Sequence, residues 1–116
     1  MKHFLPLLAL IATPIAVAAQ DAAPQLSLEH RTLVRCSAAI AMVAQGQATA
    51  QEDALRYPDL RERGREFFVR ATAQVMDEAG LDRTQIEAAL ATHAQDIWNN
   101  GTIDEVMPSC LALLPA

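Results

Sequence analysis

The chain has 116 residues, a formal net charge of −5 at pH 7, 52% hydrophobic residues and only 4% aromatics. That length suits one small domain, and the acidic balance argues against nucleic acid as a partner. Its two cysteines are far apart with no Cys-x-x-Cys spacing, so the usual redox motif is absent.

The N-terminus reads as an export signal. Lys2 supplies a short positive segment, Phe4 to Ile15 is apolar but interrupted by Pro6 and Pro14, and Ala16-Val17-Ala18 or Val17-Ala18-Ala19 offers a small-residue cleavage site. A retained anchor needs about 20 unbroken apolar residues, and Gln20-Asp21 arrives too soon. No Cys follows closely enough to carry a lipid. Residues 1–19 are therefore expected to be a cleaved signal peptide, giving a periplasmic protein without a stable membrane anchor. Losing Lys2 leaves arginine as the basic residue of the exported chain and raises its acidic excess from five to six. A chain of this size hides only about 65% of its unfolded surface on folding, so a covalent tie helps it.

Residues 20–26 form a polar, Pro-containing lead-in, expected to be mobile after processing, and 27–116 a single helical domain. Ser27 has the chemistry of an N-cap, and Leu33, Cys36, Ile40 and Val43 recur at steps of three and four, which places them on one helical face. Gln45-Gly46-Gln47 is expected to end this first helix through a left-handed Gly46. A short polar helical turn over Gln51 to Arg56 follows. Pro58 is expected to open the longest helix, running to Ala79, with Leu60, Gly64, Phe67, Ala71 and Val75 on its apolar stripe, Phe68 and Met76 widening it, and Gly80 as its stop. Asp82 and Gln85 have capping-box spacing before Ile86, Ala89, Leu90, His93 and Ile97, and Asn99-Asn100-Gly101 closes that helix. Thr102 and Glu105 repeat the start signal. Pro108 should break or kink the chain near Met107, leaving a last apolar helix through Cys110 to Leu114. No run alternates with a period of two. The expected fold is all-α, a compact bundle of four main helices with one or two short ones.

Cys36 and Cys110 both lie on apolar faces, and in an exported chain they are expected to pair, joining the first and last helices. The arginines Arg56, Arg61, Arg63, Arg65 and Arg70 invite an anion contact, with Arg61 and Arg65 as its candidates. The acids interleaved with them point instead to a solvated ladder, Asp59 with Arg63, Glu66 with Arg70 and Glu62 with Arg65. His93 and Asp96, three apart on a helix with Trp98 nearby, are the one pairing that suggests a hydrolytic or ligand-binding cleft. A zinc site needs three or four ligands, and His30 is far away in sequence. No serine sits in a nucleophile elbow. No metal or cofactor is expected, and no catalytic set is assembled.

The block Gly64-Arg65-Glu66-Phe67-Phe68-Val69-Arg70, the run Met76-Asp77-Glu78-Ala79-Gly80-Leu81-Asp82, and the stretches Arg35-Cys36-Ser37-Ala38 and Val106-Met107-Pro108-Ser109-Cys110-Leu111 resemble a family of uncharacterised small exported helical proteins of alphaproteobacteria. The resemblance implies a periplasmic location and carries no activity. In size, helicity and single disulfide the chain is also similar to the acid-activated periplasmic chaperones of the HdeA type, although it lacks their lysine-rich character. The expected function is non-enzymatic contact with an envelope protein, an unfolded client or a second copy, through exposed apolar residues such as Leu28, Val69 or Met76.

Overall fold

The computed structural model describes His3 and residues 25–115. The expected signal peptide, His3 apart, and the first residues of the lead-in lie outside the described residues. The described chain is all-α, with five helices: α1 Leu28–Ala48, α2 Glu52–Leu55, α3 Arg63–Ala79, α4 Arg83–Asn100 and α5 Ile103–Leu111. No strand occurs among the described residues.

α1 is the axis of the bundle. It packs against each of the other four helices, while α3 and α4 also meet one another. Its sequence permits this because small residues surround its middle. Cys36, Ser37, Ala38, Ala39 and Ile40 are all buried, so neighbours approach from nearly every side. At Gly64 a Cβ would meet Ile40 Cγ2 at 2.8 Å, which fixes the α1–α3 approach to a glycine. The expected α3 stripe is the one that turns inward: Leu60, Gly64, Phe67, Ala71 and Val75 are buried.

The core has two parts. The larger gathers Cys36, Ala39, Ile40, Val43, Ala54, Leu60, Phe67, Ala71, Ile97, Val106, Met107 and Cys110. A smaller cluster of Val34, Val75, Leu81 and Ile86 lies where α3 turns into α4, and Leu26, expected in the mobile lead-in, is partly buried against it. The disulfide joins Cys36 of α1 to Cys110 of α5 across 5.1 Å between Cα atoms, as the two apolar faces require.

Local signals behave as expected at four helix ends. Ser27 Oγ accepts from the His30 N–H at 3.1 Å. Asp82 and Gln85 form a reciprocal capping box, with N···O distances of 2.8 and 2.9 Å. Gly80 and Gly101 stop α3 and α4 with φ of 68° and 62°.

Four expectations are corrected. Gly46 does not end α1: the helix continues to Ala48, and the left-handed residue is Ala50, with φ 55°. Gly46 is needed for space, since a Cβ there would meet Ala54 Cβ at 2.7 Å. α3 begins at Arg63 instead of Pro58 because the backbone from 54 to 60 is claimed elsewhere. Gln47, 7% exposed, donates through Nε2 to the carbonyls of Ala54, Tyr57 and Pro58 at 3.1, 3.3 and 2.8 Å, and its Oε1 accepts from the Leu60 N–H at 2.8 Å. Pro108 does not break α5, which runs continuously from Ile103 to Leu111 and ends before Leu114. Only the bond to the Asp104 carbonyl is forfeited, at an exposed residue, while buried Val106, Met107 and disulfide-bonded Cys110 hold the helix in place. Finally, Thr102 precedes α5 but its hydroxyl does not cap it, being buried without a partner among the described residues.

Candidate functional site

The chemistry-bearing residues singled out in the sequence are not gathered into one place. His93 is half-buried on α4 and Asp96 is exposed; the two share no hydrogen bond among the described residues. Asp96 Oδ1 instead accepts from Asn100 Nδ2 at 3.0 Å. Burial holds the His93 pKa below its ordinary value, helped by Arg35 and Arg31 of α1 and opposed by Asp96. His30 Nε2, on the first turn of α1, lies 3.2 Å from Glu78 Oε1 of α3. Among the described residues no group of three His, Cys, Asp or Glu side chains converges as a metal site would require.

The arginine ladder is corrected as well. Among the described residues none of Asp59–Arg63, Glu66–Arg70 or Glu62–Arg65 closes to an ion pair. With α3 starting at Arg63, Asp59 sits in the preceding turn and pairs with Arg61, whose Nε and Nη2 donate to its two carboxylate oxygens at 3.0 and 2.8 Å. The Arg61 side-chain and backbone donors push the Asp59 pKa down to about 2. The fork of Arg61, one of the two anion candidates, is thus occupied from within the chain. Arg65 is exposed on the first turn of α3. Arg63 reaches the C-terminal end of the domain, donating to the Pro115 carbonyl at 2.9 Å.

The feature that stands out is a groove where α1, α2 and the α4–α5 junction meet. It encloses about 290 Å³, with a floor of Met42, Val43, Ala54, Ile97 and Ile103. Trp98 forms one wall and is 75% exposed. The reason is geometric: Ile97 points into the core at 1% exposure, so the next residue is turned about 100° around the helix. Gly101 then ends α4, which leaves the indole beside the start of α5.

Another part of the lining is polar. The Tyr57 hydroxyl donates to Asp104 Oδ1, and Arg56 Nη2 lies 3.3 Å from Asp104 Oδ2 and 4.0 Å from Asp53 Oδ1. Burial, then the hydrogen bond to Asp104 and its negative charge, push the Tyr57 pKa up to about 12. The same bond, together with Arg56, holds Asp104 below the usual carboxylate range. At neutral pH Tyr57 therefore keeps its proton and Asp104 keeps its charge. The wall offers fixed charges and donors, which suits recognition better than proton transfer.

In the sequence Trp98 stands out only as a neighbour of His93, and Tyr57 only as the residue before the helix-opening Pro58. The available signal was the Ile97 stripe, which turns residue 98 away from the core. The Arg56–Asp104 and Tyr57–Asp104 pairs span 48 and 47 residues and have no local signature. Of the expected contact residues, Leu28 and Val69 are 73% and 60% exposed, Met76 is partly buried, and none lines the groove. No protein family, curated protein or solved structure matches the chain.

Proposed function

We propose that this is a non-enzymatic periplasmic helical protein that acts by contact with another protein, an envelope component, an unfolded client or a second copy, and that the groove beside Trp98 is its contact surface. The observation that carries this is the exposed indole next to an apolar floor. Aromatic side chains are enriched at protein interfaces, where one face packs while the polar edge stays wet. The fixed polarity of the Tyr57–Asp104–Arg56 wall supports the same reading, because orientation and specificity need placed charges more than titrating ones. The export signal in the sequence supports the location, and no helix among the described residues is long and apolar enough to cross a membrane.

The test is site-specific photocrosslinking in the periplasm. A photoreactive residue replaces Trp98 in one strain and exposed Thr84, on the first turn of α4, in another. Adducts of defined mass at position 98 and none at 84 are the expected outcome. Equal labelling at both positions, or none at 98, overturns the assignment of this surface. A stable adduct at neutral pH marks a dedicated binder, whereas protection of aggregating clients only below about pH 4, where carboxylates lose their charge, marks a chaperone.

A further inference from the structure

The groove also has a charge preference. Two carboxylates line it, Asp53 and Asp104, and the neighbouring Arg56 reaches them at 4.0 and 3.3 Å, so one negative charge is left uncompensated, and Tyr57 adds none because it keeps its proton. Asp53 is the open one. Its side chain is 99% exposed and its contact with Arg56 lies at 4.0 Å, the limit of an ion pair. An aromatic face, an apolar floor and an open carboxylate together suit a cation carried on an aliphatic stem. The methylenes lie on Met42 and Ile103, the charge sits over the indole, and the carboxylate takes the remaining donors.

We propose that the groove seats a basic side chain of a partner protein, arginine in preference to lysine, stacked on Trp98 with Asp53 and Asp104 as counter-charges. This rests on the protein-contact reading and names the partner's chemistry. Arginine is preferred because its planar guanidinium stacks on an aromatic face while its edge donates to carboxylates. The chain's own Arg56 already uses such donors toward the same two acids. A protein is preferred over a free small cation because of area. A cavity of about 290 Å³ accepts one side chain, yet Trp98, 75% exposed, presents more apolar surface than a small molecule seated in that cavity covers.

Trp98 is the only tryptophan in the chain, so its fluorescence reports occupancy directly. The probe is an acetylated, amidated nonapeptide of leucine and serine with one central arginine, titrated into the exported domain beside versions carrying norleucine or glutamate at the centre. The arginine peptide should bind about tenfold more tightly than the norleucine peptide, and about 0.5 M salt should remove most of that difference. Asp53→Asn, at a fully exposed side chain, should cost the arginine peptide about threefold or more and leave the norleucine peptide unchanged. Equal binding of the norleucine peptide, tighter binding of the glutamate peptide, or no binding of any of them overturns the cation assignment, while crosslinking at position 98 still decides the contact reading separately. If N-acetylargininamide binds as tightly as the peptide, the partner-protein half of the proposal fails and the groove is a site for a free cation.

Discussion

The two connections that flank α3 are built on opposite plans. Between α3 and α4 three residues suffice: Gly80 turns the chain at φ 68°, the Leu81 N–H returns to the Met76 carbonyl at 3.0 Å, and Asp82 starts the next helix with its capping box. Every bond there is made within a few residues. Between α1 and α3 the chain instead travels from Thr49 to Glu62 around α2, and much of its order comes from outside the segment. The Gln47 amide, buried at the end of α1, satisfies three carbonyls and one N–H of that segment. The first connection is a local device and tolerates local change. The second depends on one side chain, and Ala54 and Tyr57, which it holds, are part of the groove.

The difference predicts a graded set of losses. The largest belongs to the tie between the first and last helices. Cys36→Ala with Cys110→Ala frees a loop with a sequence separation of 74, and chain entropy puts the loss at about 4 kcal/mol. Chemical denaturation should show it with the helical circular dichroism retained, since core packing still defines the fold. Next is Gln47→Leu, which keeps the volume roughly but strands the Leu60 N–H and several carbonyls. It should cost about 3 kcal/mol, and hydrogen exchange should rise first in residues 54–60. Loss spread evenly over all five helices would contradict the special dependence of this connection on Gln47.

Glycines sharpen the same contrast. Gly46→Ala drives a Cβ to 2.7 Å from Ala54 Cβ, so α2 must move, at a cost of about 2 kcal/mol typical of overpacking, and the Trp98 emission should shift as the groove deforms. Asp82→Ala should cost only about 1 kcal/mol, the ordinary value of a lost cap, and leave that emission unchanged. A comparable spectral change in both variants would mean that the two connections are coupled.

The same residues show why some of the fold was legible and some was not. Ser27, Gly80, Asp82 with Gln85, and Gly101 act on backbone groups within four residues, so their chemistry could be read along the chain. The α3 stripe was legible because Leu60, Gly64, Phe67, Ala71 and Val75 keep helical spacing even though Leu60 precedes the helix itself. Gly46 and Gly80 are the same residue type in different roles. One is a tight contact with Ala54, a matter of tertiary approach, and the other a left-handed stop. The start of α3 was displaced because a helix beginning at Pro58 would need the Tyr57 and Pro58 carbonyls as its first acceptors, and Gln47 Nε2 takes both from 10 and 11 residues upstream. That displacement also dissolved the expected Asp59–Arg63 pair. The groove was the least legible part, since Tyr57 lies 47 residues before Asp104 and is brought beside it only by packing, with no local signature.

The smallest expected effect concerns α1 against α4, where His93 sits half-buried with Arg35 and Arg31 on the facing helix and Asp96 on its own. Burial is the largest cause of its lowered pKa and Arg35 the next. In the unfolded chain the same imidazole takes up its proton near the ordinary value of 6.5. The unfolded state therefore binds more protons just below that pH, and stability must fall as the pH drops through it. The contribution is complete above about pH 6.5 and lost once the pH passes below the folded value. Asp59, Glu78 and Asp104 have lowered values too and weaken the fold on acidification, but only in the more acidic range of carboxylates. Comparing pH 7.5 with pH 5.5 thus stays above that range, and the difference between the wild-type chain and a variant at position 93 alone separates His93 from His30, which is unchanged in both. His93→Gln, which keeps a polar side chain without the titration, should lose less of its thermal midpoint over that interval than the wild-type chain. An identical loss in both would show that the α1–α4 contact does not sense the charge of His93, and would place any acid response of the domain with its carboxylates alone.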